Sequence, residues 1–269
     1  TYPYGMVQFT PSYFSKRSGF VINQLSGGGC EHMGNFPTFP VKGKLKMSPD
    51  NILNYRINIS EEKGHAGYYE AKVQEDIHAK LTVTERTGMA SYEYPADQQY
   101  GTVIIGGGIS ATPIEQAAIV ITAPNKCEGY AEGGNFCGLR TPYKVYFVAE
   151  FDTDALESGT WKRNELKPNT TFAEGEYSGV YFTFDVNKKK NIQYKIGVSY
   201  VSVENARENL KAENTGWDFL QIQNQAESKW NHYLGKIEVE GSNPDRTTQF
   251  YTHLYRLSLI HISEPTRLR

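Results

Sequence analysis

No stretch of this chain approaches the roughly 18 consecutive apolar residues that a membrane-spanning helix requires. No charge sign dominates either: 28 Lys and Arg face 30 Asp and Glu, leaving a net charge of −2. That balance gives no reason to expect nucleic acid or an anionic membrane as a partner. The chain opens on Thr1, without a methionine and without a charged-then-apolar signal segment. It is therefore expected to be a mature or truncated product whose export signal is out of view. Cysteine is scarce, with three residues in all. Cys30 and His32 stand without a second pair at zinc spacing, so they give only a weak metal signal.

What is present suits a folded β protein. Apolar residues make up 39% and charged residues 22%, enough for a sizeable core and against disorder. Tyrosine is abundant, with 19 residues. Aromatics favour strands. They also favour carbohydrate surfaces, where a flat apolar ring meets a sugar and the phenol adds a hydrogen bond. An ordinary β-rich core is the plainer reading of the same composition.

Residues 1–202 read as strands and turns. In "YKVYFVAEFD", Val145, Phe147, Ala149 and Phe151 share one face. In "KLTVTER", Leu81 and Val83 oppose Thr82 and Thr84. "GVYFTFDV" and "IQYKIGVSYVSV" continue the pattern, with turn signals at Pro95, Pro124-Asn125 and Asn187 between them. Many strands without intervening helices predict an antiparallel sandwich. The period then changes. Val203, Ala206 and Leu210 fall on one helical face, as do Phe219, Ile222, Ala226, Trp230 and Tyr233. Asp218 is the expected N-cap of that second helix and Gly235 its end. "KIEVEG" (236–241) predicts a short strand. Asn243-Pro244 opens a third helix carrying Phe250, Leu254 and Leu257, a stripe with little sequence left to pack against.

Four stretches invite a chemical reading. Gly106 to Ala111 fits G-x-G-x-x-A after an apolar strand, but Pro113 and the β-branched run behind it supply no helix for a pyrophosphate, so a strand end with a glycine turn is expected. Cys127 and Cys137 bracket "CEGYAEGGNFC", which reads as a glycine-rich loop. Either a disulfide closes it in an oxidising compartment or both thiols are free. "NQLSGGGCEHMGNFP" (23–37) gathers Ser26, Cys30, Glu31 and His32 around flexible backbone. It is a catalytic centre, a ligand-contacting loop or a plain glycine turn. G-x-S-x-G is absent, which speaks against a serine nucleophile. Finally, His65 and His78 are the histidines that a mutarotase-like sandwich enzyme would use, although a structural or solvent-facing role is the expectation for both.

Several motifs in order resemble the N-terminal domain of glycoside hydrolase family 92. They are "YPYGMVQFTPS" (2–12), "GFVINQLSGGGC" (19–30), "MGNFPTFP" (33–40), "HAGYYEAKVQEDIHAKLTVTERTGMASYEYP" (65–95), "VYFVAEFD" (145–152), "KIGVSYVSVENARENLKAEN" (195–214), Trp217-Asp218-Phe219, Trp230-Asn231 and "FYTHLYR" (250–256). The family comprises calcium-dependent, exo-acting α-mannosidases. The resemblance implies an antiparallel β-sandwich of the galactose-mutarotase-like type over 1–202. It implies helical linker segments over 203–256, leading to an (α/α)6 catalytic barrel that this sequence lacks. That barrel would be the partner domain and would hold both calcium and the catalytic carboxylates, so no catalytic or metal residue is assigned here. In the family, the loop matching Ser26 to Cys30 faces the barrel and helps form the pocket for terminal mannose. Gly28, Gly29, Cys30, Glu31 and His32 are the corresponding candidates for a sugar-binding wall. Where the commoner family form has a histidine-rich "SHTHL", this chain has "VINQL", which touches linkage preference. "SLIHISEPTRLR" (258–269) departs from the family and resembles adapter read-through, so 257–269 is expected to be an artefactual tail. The implied reaction is inverting hydrolysis of mannose-containing glycans, N-glycans among them, by a bacterial enzyme of the periplasm, cell surface or exterior. A free-standing carbohydrate-binding module is the competing reading.

Overall fold

The computed structural model describes residues 1–12, 19–24, 32–49 and 58–263, with side chains as far as 258. Two antiparallel sheets face each other. The smaller runs, in spatial order, β1 (Thr10–Pro11), β2 (Phe20–Val21), β3 (Thr38–Lys42), β8 (Tyr100–Gly106), β15 (Ser178–Asp185), β12 (Glu157–Lys162) and β13 (Glu165–Pro168). The larger runs β14 (Phe172–Glu174), β9 (Ile114–Ala123), β10 (Lys126–Phe136), β11 (Leu139–Phe151), β16 (Asn191–Ser199), β7 (Thr87–Glu93), β6 (Ile77–Val83), β5 (Tyr68–Val73) and β4 (Ile59–His65). Three helices follow: α1 (Val203–Glu213), α2 (Phe219–Leu234) and α3 (Pro244–Ser263). None of them is long and apolar enough to cross a membrane.

Period-2 alternation builds the interface between the sheets. Val145, Phe147, Ala149 and Phe151 of β11 are all buried, as their spacing predicts. Phe151 sits 4.9 Å from Phe182, 5.0 Å from Phe184 and 5.3 Å from Tyr194, ring centre to ring centre, so one side chain ties both sheets together. The other face of the larger sheet is covered by helices. Val148 packs with Ala206 and Leu210 of α1. The threonine face of β6 is covered too: Thr82 is buried and donates to the Gly67 carbonyl at 2.9 Å. Gly67 adopts φ +87°, and a Cβ there would lie 2.8 Å from the Ala226 methyl, so glycine is what lets α2 lie against the β4–β5 hairpin.

Helix ends follow the sequence signals. Asp218 accepts from the Gln221 amide and caps α2, Gly235 closes it, and Asn243 accepts from Asp245 at the start of α3. The turn between α1 and α2 is pinned twice to the larger sheet. Glu213 accepts from the Thr84 hydroxyl at 2.5 Å, the Arg86 amide at 2.8 Å and the Arg86 guanidinium. Lys195, buried on β16, donates to the Asn214 carbonyl at 3.0 Å beneath the Trp217 ring, 4.4 Å from its centre. Its burial lowers the ammonium pKa, and Glu150 nearby opposes that fall.

Three local expectations meet a different outcome. "KIEVEG" is not a strand: 236–241 carry no ladder, because alternation makes a strand only where a partner strand lies beside it. "CEGYAEGGNFC" is not a loop. It forms β10, paired from Lys126 to Phe136 with β11. Gly129 is required there, since a Cβ would lie 2.1 Å from the Ala118 carbonyl oxygen. The Cys127–Cys137 bridge is thereby ruled out. Ten residues of extended chain separate the two by about 33 Å, against the roughly 5.5–6 Å that a disulfide spans between Cα atoms. Cys127 is a free thiol in the core opposite Ala149, and its burial raises its pKa. Cys137, at the hairpin tip, is disulfide-bonded.

Gly106 to Ala111 ends β8 and turns toward β9 with no helix after it. A dinucleotide-binding turn is therefore absent there.

Candidate functional site

Of the five residues proposed from the sequence, Gly28, Gly29, Cys30 and Glu31 lie outside the described residues, as does Ser26. His32 is described, and it belongs to a polar cluster at one end of the sandwich. The base of that cluster is an asparagine pair. The Asn35 amide N–H donates to Asn23 Oδ1 at 2.7 Å, and Asn23 Nδ2 donates to Asn35 Oδ1 at 3.0 Å. Both side chains are buried. Buried amides demand partners, so this reciprocal pair fixes residues 23 and 35 side by side. It thereby clamps the two ends of the glycine-rich segment between them.

Strands from the larger sheet complete the base. Tyr143, near the start of β11, donates to Asn35 Oδ1 at 2.9 Å. Burial raises its pKa, keeping the phenol protonated as a donor. The Tyr200 hydroxyl, just past β16, accepts from Asn23 Nδ2 at 3.4 Å and lies 3.7 Å from Met33 Sδ. With two donors on its Oδ1, the Asn35 amide has a single orientation. The backbone beyond is tightly curled: Met33, Gly34 and Phe36 all have positive φ, at 58°, 74° and 53°. Such geometry in non-glycine residues costs of order 1–3 kcal/mol each and persists where surrounding contacts impose it.

His32 packs edge-on against Phe136 at 4.6 Å and Tyr143 at 5.6 Å. Burial lowers its pKa, with the Asn135 backbone opposing, so the ring is held neutral near pH 7. Its Nδ1 has no hydrogen-bond partner. The same is true of Gln24 Oε1 and Asn35 Nδ2. Gln24 follows Asn23 in sequence, and the Thr112 hydroxyl lies against the Tyr143 phenol. Unpaired polar atoms cost roughly 1–3 kcal/mol apiece when buried. Other such atoms lie elsewhere, at Tyr92, Trp161, Asp185 and Asn214. Those at this end are an amide N–H, an amide C=O and an imidazole nitrogen, with no formal charge.

The described part of the cluster does not match a metal. Calcium takes six to eight oxygens, carboxylates among them, and no carboxylate among the described residues belongs to it. No group of three or more His, Cys, Asp or Glu among the described residues is placed to hold an ion. Nor do His65 and His78 form a catalytic pair. Both are exposed, and the β5–β6 register puts them near opposite ends of the same ladder. Asn23, Asn35, Tyr143 and Tyr200 carry the cluster yet have no sequence signature of their own. The only hint is an asparagine set in an apolar stretch at each end of the glycine segment.

The family model for the glycosyl hydrolase family 92 N-terminal domain matches residues 1–199. The chain belongs to glycosyl hydrolase family 92. The model of that family's catalytic domain matches residues 205–264. An uncharacterized secreted glycosidase of Arthroderma benhamiae is 25% identical over 270 residues, covering 90% of this chain and 35% of the relative. An inverting mannosidase of family 92 from Bacteroides thetaiotaomicron has the same fold, with a TM-score of 0.80 at 24% identity over 95% of this chain and 35% of that one. An α-mannosidase of family 92 from the same bacterium superposes with a TM-score of 0.82 at 23% identity, covering 96% of this chain and 38% of that one. The family 92 chain described here thus spans little more than a third of the length of these relatives.

Proposed function

We propose that this family 92 chain serves an exo-acting, inverting α-mannosidase and that the Asn23–Asn35 end of its sandwich is one wall of the pocket for a terminal mannose. The observation that carries this reading is the grouping of uncharged polar side chains, several with unpartnered atoms, at the Asn23–Asn35 end. Gly28, Gly29, Cys30 and Glu31 extend the same wall in this reading. The opposite wall is an (α/α)6 catalytic domain. That domain brings the acid and base carboxylates, set about 6.5–9.5 Å apart for inversion. In this reading it also brings calcium, a hard cation that prefers oxygen ligands. The substrate class is mannose-terminated glycan, N-glycans included. The secreted relative and the disulfide at Cys137 support an extracytoplasmic location.

The test is mannose release from α-1,2-mannobiose. We expect none from these 269 residues alone. Activity is expected when residues 1–199 replace the sandwich of the Bacteroides inverting mannosidase. In that chimera Asn35→Ala lowers kcat/KM by about 10- to 100-fold, the range that an unmade buried hydrogen bond of about 1–3 kcal/mol gives. Hydrolysis by the chain alone, or a fully active chimera that ignores Asn35→Ala, refutes the reading. Tight mannan binding by residues 1–202, with no hydrolysis in any fusion, would favour a carbohydrate-binding module instead.

A further inference from the structure

A second cavity, of about 730 Å³, opens between the β4–β5–β6 edge of the larger sheet and helices α2 and α3. Its volume lies within the usual range of small-molecule sites, about 300–1,000 Å³. It stands three strands away from Tyr143 in the order β11-β16-β7-β6, roughly 14 Å at the usual strand spacing of about 4.8 Å.

The lining is set by how α3 is rotated. Thr248, Tyr251, Thr252 and Tyr255 recur at helical spacing and face the cavity. The apolar stripe of Phe250, Leu254 and Leu257 does not line it, and Leu257 is exposed. Across the gap stand Tyr68 and Tyr69 of β5, with Trp230 and Asn231 of α2. Several of the aromatic polar ends are already engaged within the protein. Tyr68 donates to Glu70 at 2.6 Å, Tyr251 to the Ile237 carbonyl at 3.1 Å, and the Trp230 indole to the Thr1 carbonyl at 2.7 Å. Trp230 is buried, so what Tyr68, Tyr69 and Tyr251 offer a ligand is carbon surface. The Thr248 hydroxyl and the Asn231 amide offer hydrogen bonds beside it. Among the described lining residues, Glu227 is the one carboxylate, and neither lysine nor arginine is present.

Those features select the chemistry of the occupant. A phosphate or carboxylate ligand would find no Lys or Arg to pair with, only His65 and the Thr1 amine, whose pKa burial lowers to about 5. A wholly apolar ligand would strip water from hydroxyls and leave them unsatisfied. A neutral saccharide meets both demands, stacking C–H faces on rings and hydrogen bonding at its rim. We propose that this cleft is an accessory saccharide site that holds a neutral di- or trisaccharide, distinct from the Asn23–Asn35 end.

The experiment titrates the chain with α-1,2-mannobiose and with cellobiose, following tryptophan fluorescence, with Trp230→Phe to assign the signal. Glucose 6-phosphate is the charged control. Saturable one-to-one binding of at least one neutral disaccharide is expected, with no binding of the phosphate. Thr248→Val removes one exposed-rim hydroxyl at constant shape and should weaken binding about tenfold; Tyr251→Ala should weaken it further. Far-UV circular dichroism checks folding, and Thr248→Val decides alone if Tyr251→Ala unfolds. The proposal is overturned by an absence of saturable binding into the tens of millimolar, by binding that Thr248→Val leaves untouched, or by binding that Asn35→Ala abolishes. The last result would assign the sugar to the other site, and failure of the chimera leaves the present proposal standing.

Discussion

The middle of the sandwich and its Asn23–Asn35 end are built from the same strands and obey opposite rules. At the middle, Phe151, Phe182, Phe184 and Tyr194 fill the space between sheets with rings. Polar atoms there are few, and the Tyr194 hydroxyl takes its hydrogen bond from Thr38. At the end, β11 supplies Tyr143 where it supplies Phe147 and Phe151 further along. Amides replace rings, and three of the residues keep a buried polar atom without a partner. The core is not free of such atoms, since Tyr92 and Trp161 each keep one, but its contacts are mainly ring on ring, whereas the end is held by side-chain hydrogen bonds.

That contrast makes stability predictions of graded size. Phe151→Ala should be the most damaging, about 3–5 kcal/mol in urea unfolding, since it opens a cavity touching three rings. A cost under about 1 kcal/mol would mean that the centre is not the closed core described. Asn35→Ala should cost less, about 1–3 kcal/mol: it strands the Tyr143 and Asn23 donors but also removes an unpaired Nδ2. A loss equal to that of Phe151→Ala would erase the distinction between the two regions. The smallest effect is expected from His32. Its pKa is lowered in the fold, so the unfolded chain binds the proton more readily. The stability held by the neutral ring is complete above the ordinary imidazole value and is lost as pH falls through that value and the lowered one. Unfolding midpoints measured from pH 7.5 to pH 5 should therefore fall more steeply for the native chain than for His32→Gln. Parallel curves would remove the imidazole from the cluster.

Much of the fold is legible in the sequence, because faces and caps are local. The β11 alternation, the α2 stripe, the Asp218 cap and the Asn243-Pro244 start all stand where spacing predicts them. The failures share one cause. Glycine weakens a strand in isolation, so "CEGYAEGGNFC" reads as a loop until Ala118 is seen pressing on Gly129. "KIEVEG" alternates well but has no neighbour to pair with. The candidate site was half legible for the same reason. His32 announces itself, whereas the meaning of Asn35 depends on Tyr143, 108 positions later.

The carboxylate of Glu213 gathers three donors from the β6–β7 turn, at the junction where sheet gives way to helix. Lys195 and Trp217 bolt down the far side of that junction. Helix α2 is thus referenced to the larger sheet like a bracket screwed at two points, leaving it no free swivel. Any pocket wall carried by the sheets is held at a constant bearing to whatever α2 supports, and alignment is stored in the fold before a ligand arrives.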